Sequence, residues 1–275
     1  MTRTPQRPGS ARPVGGSLDG WRIQRNVINA LVYRELKTRV SQVKFGVLGV
    51  FIEPLGVIAV FLLIFGLFRG RAAIGIDIIL FLACGVILYT MYVNIAIRSL
   101  NSMQANEALF FYRPVKPVDT VIARALVESG LYGSILLIIS GFTCLLREQW
   151  LFYDFGLLVI TFIALALNAF GFGVFLMAAG HRYKALHQIV PLVMRPMWFI
   201  SGIFFSLSAV PQQFLTWLSW NPIAQAIELS RSAFSPDYPI NPTVISLPYL
   251  LASAAFSCAI GLWVYSNNER ILLTR

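Results

Sequence analysis

Charge is scarce in this sequence. Asp, Glu, Lys and Arg make up 12% of its 275 residues, about half the share of an ordinary soluble domain, while 57% are hydrophobic and the mean hydropathy is +0.71. A water-soluble globule of this size cannot hide that much apolar side chain, so the bilayer must supply much of the apolar environment. Acidic residues are the scarcest charged type, 12 against 22 Lys and Arg, which leaves a net charge of +10. Histidine is nearly absent: His181 and His187 stand six apart in a short polar stretch. That is not one-face helical spacing, and with no His-Glu-x-x-His run a metal centre is not expected. Cys84, Cys144 and Cys258 each fall inside an apolar run, where they read as small buried hydrophobes and argue against a disulfide framework. No Gly-Lys pair occurs, so ATP cannot be held by a phosphate-binding glycine loop. Ser201-Gly202 lacks the flanks of a nucleophile elbow, and no His or carboxylate accompanies it at comparable depth. Catalysis on this chain is therefore not expected. The core of a signal peptide is missing as well, and residues 1–20, rich in Pro, Gly, Arg and Ser, are expected to form a disordered cytoplasmic tail.

What is present is six apolar runs, at 47–68, 74–97, 126–146, 155–180, 189–207 and 247–265. Each suffices to cross a hydrocarbon core of about 30 Å, and backbone satisfaction in lipid makes each a helix. The alternating segments of an outer-membrane barrel do not occur. The expected fold is an all-α integral membrane protein with six transmembrane helices. If the N-terminus lies inside, 17 of the 22 cations are cytoplasmic, against Arg69, Arg71, Arg147 and Arg231 outside and Arg195 within the fifth run. Both termini are thus expected in the cytoplasm.

Three further elements flank these spans. Residues 21–45 carry apolar side chains near helical period with Arg and Lys between them, as in an amphipathic interface helix that either anchors at the membrane surface or docks a cytoplasmic partner. Asn101 to Phe111 has helix-forming composition and runs into Pro114 and Pro117, which suits a short cytoplasmic helix on a stiff elbow; an ordinary loop is the alternative. Residues 208–243 are too polar to cross alone, and a re-entrant helical pair between the last two spans, broken at Asn221-Pro222, competes with a peripheral outer cap.

Two ionisable residues sit inside spans, each followed by proline and each about 9 Å deep: Glu53 before Pro54, and Arg195 before Pro196. They are candidates for an intramembrane ion pair. Snorkelling of Arg195 and a hydrogen bond from Glu53 at a proline kink are the alternatives. Trp198, Phe199 and Phe204 could stack on sugar rings, although such aromatics also serve helix packing and lipid contact.

Several stretches together resemble the capsular polysaccharide exporter permeases, the membrane subunits of type-2 ABC transporters. The most specific is Phe111-Tyr112-Arg113-Pro114-Val115-Lys116-Pro117-Val118-Asp119-Thr120, continuing through Arg124 to Glu128. Tyr33-Arg34-Glu35-Leu36-Lys37-Thr38-Arg39, Glu53-Pro54, the run from Arg195 to Phe204, and Asn221-Pro222 through Arg231 also match. The resemblance implies that residues 21–275 form one ABC-2 type transmembrane domain in the bacterial inner membrane. It implies a homodimer served by two copies of a separate ATP-binding subunit, with ATP and Mg on that partner and no cofactor on this chain. A periplasmic adaptor or co-polymerase and an outer-membrane channel would complete the route. The cargo would be a lipid-linked acidic polysaccharide, and no nucleic acid is involved. On this reading Glu107, Leu109, Phe110, Phe111, Arg113 and Lys116, with Arg34 and Lys37 of the interface helix, couple to the ATPase. Arg98, Arg124, Arg195, Trp198, Phe199, Phe204 and Arg231 belong to the substrate pathway. O-antigen or teichoic acid cargo keeps the class. A polytopic membrane glycosyl or acyl transferase would need carboxylates or histidines clustered at one membrane level, where the sequence offers mainly Glu53 and the shallower Glu128.

Overall fold

A computed structural model describes residues 17–41, 47–68, 72–73, 75–111 and 115–273. The expected tail up to residue 16, Arg113, and the side chains of Glu53 and Phe111 lie outside the described residues. The chain is an all-α membrane protein apart from a two-residue hairpin. In order it forms α1 (Ser17–Ser41), α2 (Val47–Phe68), β1 (Ala72–Ala73), β2 (Ile76–Asp77), α3 (Ile78–Leu100), α4 (Ser102–Ala105), a 3-10 turn (Glu107–Phe111), α5 (Pro117–Arg147) and α6 (Phe155–Arg182). There follow α7 (Leu186–Ile200), a 3-10 turn (Leu207–Ala209), α8 (Gln212–Ser219), α9 (Pro222–Ser232) and α10 (Leu247–Leu273). Among the described residues, four helices are long and apolar enough to cross a membrane, at Ile78–Leu100, Pro117–Arg147, Phe155–Arg182 and Leu247–Glu269.

Local chemistry explains most boundaries. α1 is described from Ser17, inside the stretch expected to be tail. α3 is capped by Asp77, whose carboxylate accepts the Ile79 N–H at 2.8 Å and pairs with Arg147 at 2.6 Å, so one acid closes one helix and ties down the end of another. α5 opens with Pro117 in its first turn, and Asp119 accepts the Lys116 N–H at 2.9 Å. The fifth apolar run departs from the continuous span expected over 189–207. α7 stops at Ile200, because the Ser201 hydroxyl turns back to the Met197 carbonyl at 2.7 Å and Gly202 takes a φ of +74°. Its 15 residues reach about 22 Å, short of a 30 Å hydrocarbon core. The expected Asn101–Phe111 helix is likewise two pieces. Asn106 ends α4 by donating its side-chain amide to the Ser102 carbonyl at 2.9 Å, and the chain resumes as a 3-10 turn.

α3 is the centre of the bundle. Of its apolar window 72% is buried, against 17% for α10, and α2, α5, α6, α7 and α9 all pack on it. α9 is buried from Ile223 to Arg231 against α3, α6 and α10, whereas α8 leaves Phe214 and Trp217 exposed, as is Trp220 just after it. α6 and α10 form the tightest pair. Ser253, Ser257 and Gly261 recur every four residues on α10, and a Cβ on Gly171 of α6 would lie 2.3 Å from the Cys258 nitrogen. A small-residue face of this kind lets helix backbones touch where no hydrophobic force drives association. Asn168 crosses the seam, donating to Ser253 Oγ at 3.1 Å and accepting from Tyr92 at 3.3 Å.

The obstruction at Gly171 is backbone and cannot rotate away. Gly171→Ala is therefore expected to destabilise the detergent-solubilised protein by about 1–3 kcal/mol, read as a lower melting temperature. Gly141→Ala, with open space around its Cβ, should leave the melting temperature unchanged or slightly raised.

Candidate functional site

α2, α3 and α7 enclose an open cavity of about 560 Å³, lined among others by Pro54, Tyr89, Asn94, Arg195, Trp198 and Phe199. Proline shapes its wall: Pro191 and Pro196 each remove a backbone donor from α7. The Tyr89 hydroxyl donates to the Met194 carbonyl and fastens α7 to α3 at that point. Arg195 is exposed toward the cavity and has no ion-pair partner among the described residues. Beside it lies an aromatic cluster. Trp198 meets Phe204 edge to face at 5.1 Å between ring centroids, and Phe204 packs on Phe61 of α2 at 4.3 Å and on Phe199 at 6.0 Å. The structure thus brings Arg195, Trp198, Phe199 and Phe204 together. Pro54, the chain neighbour of Glu53, lines the same cavity. A cation, aromatic faces and the Asn94 amide can between them hold an anionic group and the face of a sugar ring.

The other cations expected on the pathway lie elsewhere. Arg98 closes α3 and Arg124 lies in the first turns of α5, at the α1 end of the bundle. Both are held by carboxylates: Arg98 by Glu35 at 3.3 Å and by Glu128, Arg124 by Glu35 at 3.5 Å. Arg124 also donates to the Arg98 carbonyl.

Arg231, in α9 at the opposite end, is 0% exposed. Its guanidinium donates to Glu228 at 2.9 Å and to the carbonyls of Ile203 at 2.8 Å, Phe205 at 3.2 Å and Phe81 at 3.2 and 3.3 Å, while stacking 3.5 Å over the Phe81 ring. All five N–H donors are consumed. In this structure Arg231 is a clasp that holds the irregular segment after α7 against α3, not a side chain turned to a passage. Glu228 completes the clasp by accepting Tyr238 at 2.9 Å and Ser206 at 3.3 Å. Burial first, and the Glu228 charge with it, pushes the Tyr238 phenol above its ordinary range, so it remains a donor.

Of the residues expected to couple to a partner, Lys37, Glu107 and Lys116 are exposed at the α1 end. Arg34 donates to the Asn106 side chain and so links α1 to the end of α4. Leu109 and Phe110 are half-buried, Phe110 against the Met103 and Val121 cluster. Glu35, Glu128, Asn106, Glu228 and Tyr238 carry structural weight that their residue types alone did not reveal. The available signal was the rarity of acids: a carboxylate in a chain this basic and apolar needs a cationic partner. Among the described residues no group of three or more His, Cys, Asp or Glu could hold a metal.

Residues 26–235 match the family described as ABC-2 type transporter. The chain is similar to the polysialic acid transport protein KpsM of Escherichia coli, with 34% identity over 93% of this chain and 98% of that protein. It is also similar to the capsule polysaccharide export inner-membrane proteins BexB of Haemophilus influenzae, 27% over 90% and 93%, and CtrC of Neisseria meningitidis, 26% over 80% and 83%.

Removing one partner of a buried ion pair leaves the other charge uncompensated, at a cost of about 3–5 kcal/mol. Glu228→Ala should lower thermal stability by that order in a melting experiment. Tyr238→Phe, which removes one neutral donor to the same carboxylate, should cost about 1 kcal/mol.

Proposed function

Because this chain belongs to the ABC-2 type transporter family, we propose that it is the inner-membrane permease subunit of a capsule polysaccharide exporter. Its near full-length likeness to a polysialic acid transport protein carries this reading. The proposed cargo is a lipid-linked acidic polysaccharide. ATP would be hydrolysed on a separate subunit, consistent with a chain that has no phosphate-binding glycine loop. Two permeases and two ATP-binding subunits would form the working unit, joined by a periplasmic adaptor and an outer-membrane channel. The α1 end would face the cytoplasm, as the cation count favours. The proposed span count remains six, with α7 and the α8–α9 pair together filling the depth that α7 alone does not reach.

A mechanical route supports the reading. α1 and the α4 segment are joined by the Arg34–Asn106 bond, so a push on either is shared. α4 continues from α3, and α3 holds α7 through Tyr89 and Met194 at the cavity. Motion at the exposed Lys37, Glu107 and Lys116 would thereby reach Arg195, Trp198 and Phe199. In that cavity Arg195 would meet an acidic sugar or phosphate, assisted by Glu53 as the proposed partner that holds it between cargo units. Arg98, Arg124 and Arg231, being already engaged, would contribute to the passage only after rearrangement, and Arg113 and Phe111 are proposed partner contacts.

The test is surface polysaccharide in cells that depend on this chain for export. Arg195→Ala should reduce it at least ~10-fold at equal permease level, the loss of one charge-assisted contact of about 1.5–3 kcal/mol, whereas Arg195→Lys should retain part of it. Full export by Arg195→Ala would remove the cavity from the route. Unchanged export in cells lacking the whole chain would refute the permease reading.

A further inference from the structure

Glu35 and Glu128 are 6% and 1% exposed. Each offers a single oxygen to two arginines that belong to different helices. Glu35 Oε1, on α1, lies 3.3 Å from Arg98 Nη2 of α3 and 3.5 Å from Arg124 Nε of α5. Glu128 Oε1, on α5, meets Arg98 Nη1 and lies 3.5 Å from Arg39 Nε of α1. Three helices are thus stitched by two acids and three arginines, with Arg98 shared between both acids.

The stitching is uneven: Glu128 engages Arg98 tightly, whereas the Arg39 and Arg124 pairs are long. Well-made charge-assisted bonds fall at about 2.7–2.9 Å, and two of these pairs stand at 3.5 Å. Glu128 Oε2 and the Nε atoms of Arg39 and Arg124 are buried without a hydrogen-bond partner among the described residues. A buried network left partly satisfied has unused bonding capacity, and here it is complementary: an acceptor on Glu128 and donors on Arg39 and Arg124. A small slide of α1 along α5 would let Arg39 engage both oxygens of Glu128 while Arg98 keeps Glu35. On α1, Leu31 is buried and Val27, Ile28 and Val32 are half-buried, while Trp21, Ile23, Tyr33 and Leu36 are exposed.

We infer that Glu35 and Glu128 are positioning residues for transport, forming a two-register latch that carries movement of α1 into α3 and α5. The inference rests on the permease reading. In the first register the acids share Arg98; in the second Arg39 takes Glu128 alone. Removing either carboxylate leaves three cations facing a single acid, so α1 loosens and partner movement no longer reaches the bundle.

The experiment uses the full chain with its ATP-hydrolysing partner in lipid nanodiscs for hydrogen exchange and ATP turnover, and cells carrying the same variants for surface polysaccharide. In Glu35→Gln and Glu128→Gln, α1 amides should exchange at least ~10-fold faster. Surface polysaccharide should fall ~5-fold or more at equal permease level, with ATP turnover within about twofold of wild type. Glu35→Asp, which keeps the charge and the fold, should lie between. Unchanged α1 exchange in both Gln variants would overturn the latch. Faster exchange with undiminished surface polysaccharide would also overturn it, because the acids would then only hold the helix in place. Should cells lacking the chain still export, the permease reading fails, while the exchange measurement still decides whether these acids hold α1.

Discussion

A charge withdrawn from water must be met inside the protein, and in a bilayer no solvent can make up a deficit. This chain gathers its buried charges at the two ends of one helix. Near the start of α3 the Phe81 carbonyl and ring receive Arg231, itself paired with Glu228. At its end Arg98 meets Glu35 and Glu128. Arg98 lies 17 residues beyond Phe81, a rise of about 26 Å, close to the thickness of a hydrocarbon core. α3 is thus a buried beam with an ionic clasp at either end and an apolar shaft between them.

The clasps differ in quality, and the difference matters for movement. Arg231 has every donor satisfied within a sealed pocket, which suits a fixed point. The cluster around Arg98 leaves donors and an acceptor unused, which suits a joint. Between them the cavity bounded by α2, α3 and α7 holds the exposed Arg195 with Trp198 and Phe199. A fully satisfied clasp at one end, a partly satisfied one at the other and a cavity along the beam suit the permease proposed above, driven from the α1 end.

Much of this was legible in the residues. The apolar runs placed the helices, because lipid leaves the backbone no alternative to internal hydrogen bonding. Asn221-Pro222 marked the break between α8 and α9, and Trp198, Phe199 and Phe204 were recognised as one group. The end of α7 was not legible, since Ser201-Gly202 lies in an apolar run whose hydropathy continues to Leu207. Nor was the break at Asn106, whose side chain acts through a carbonyl four residues back and an arginine 72 residues away.

Charge divides the two levels most clearly. Composition and the apolar runs by themselves determined that this is a polytopic helical membrane protein, because transfer energies are additive along a chain. They could not distinguish a cation left open to a cavity from one already paired. In sequence Arg98, Arg124 and Arg231 looked as free of partners as Arg195. Only the tertiary structure separated them, by bringing Glu35, Glu128 and Glu228 within reach of three and leaving Arg195 open to the cavity, since ion pairing depends on distances that no local pattern encodes.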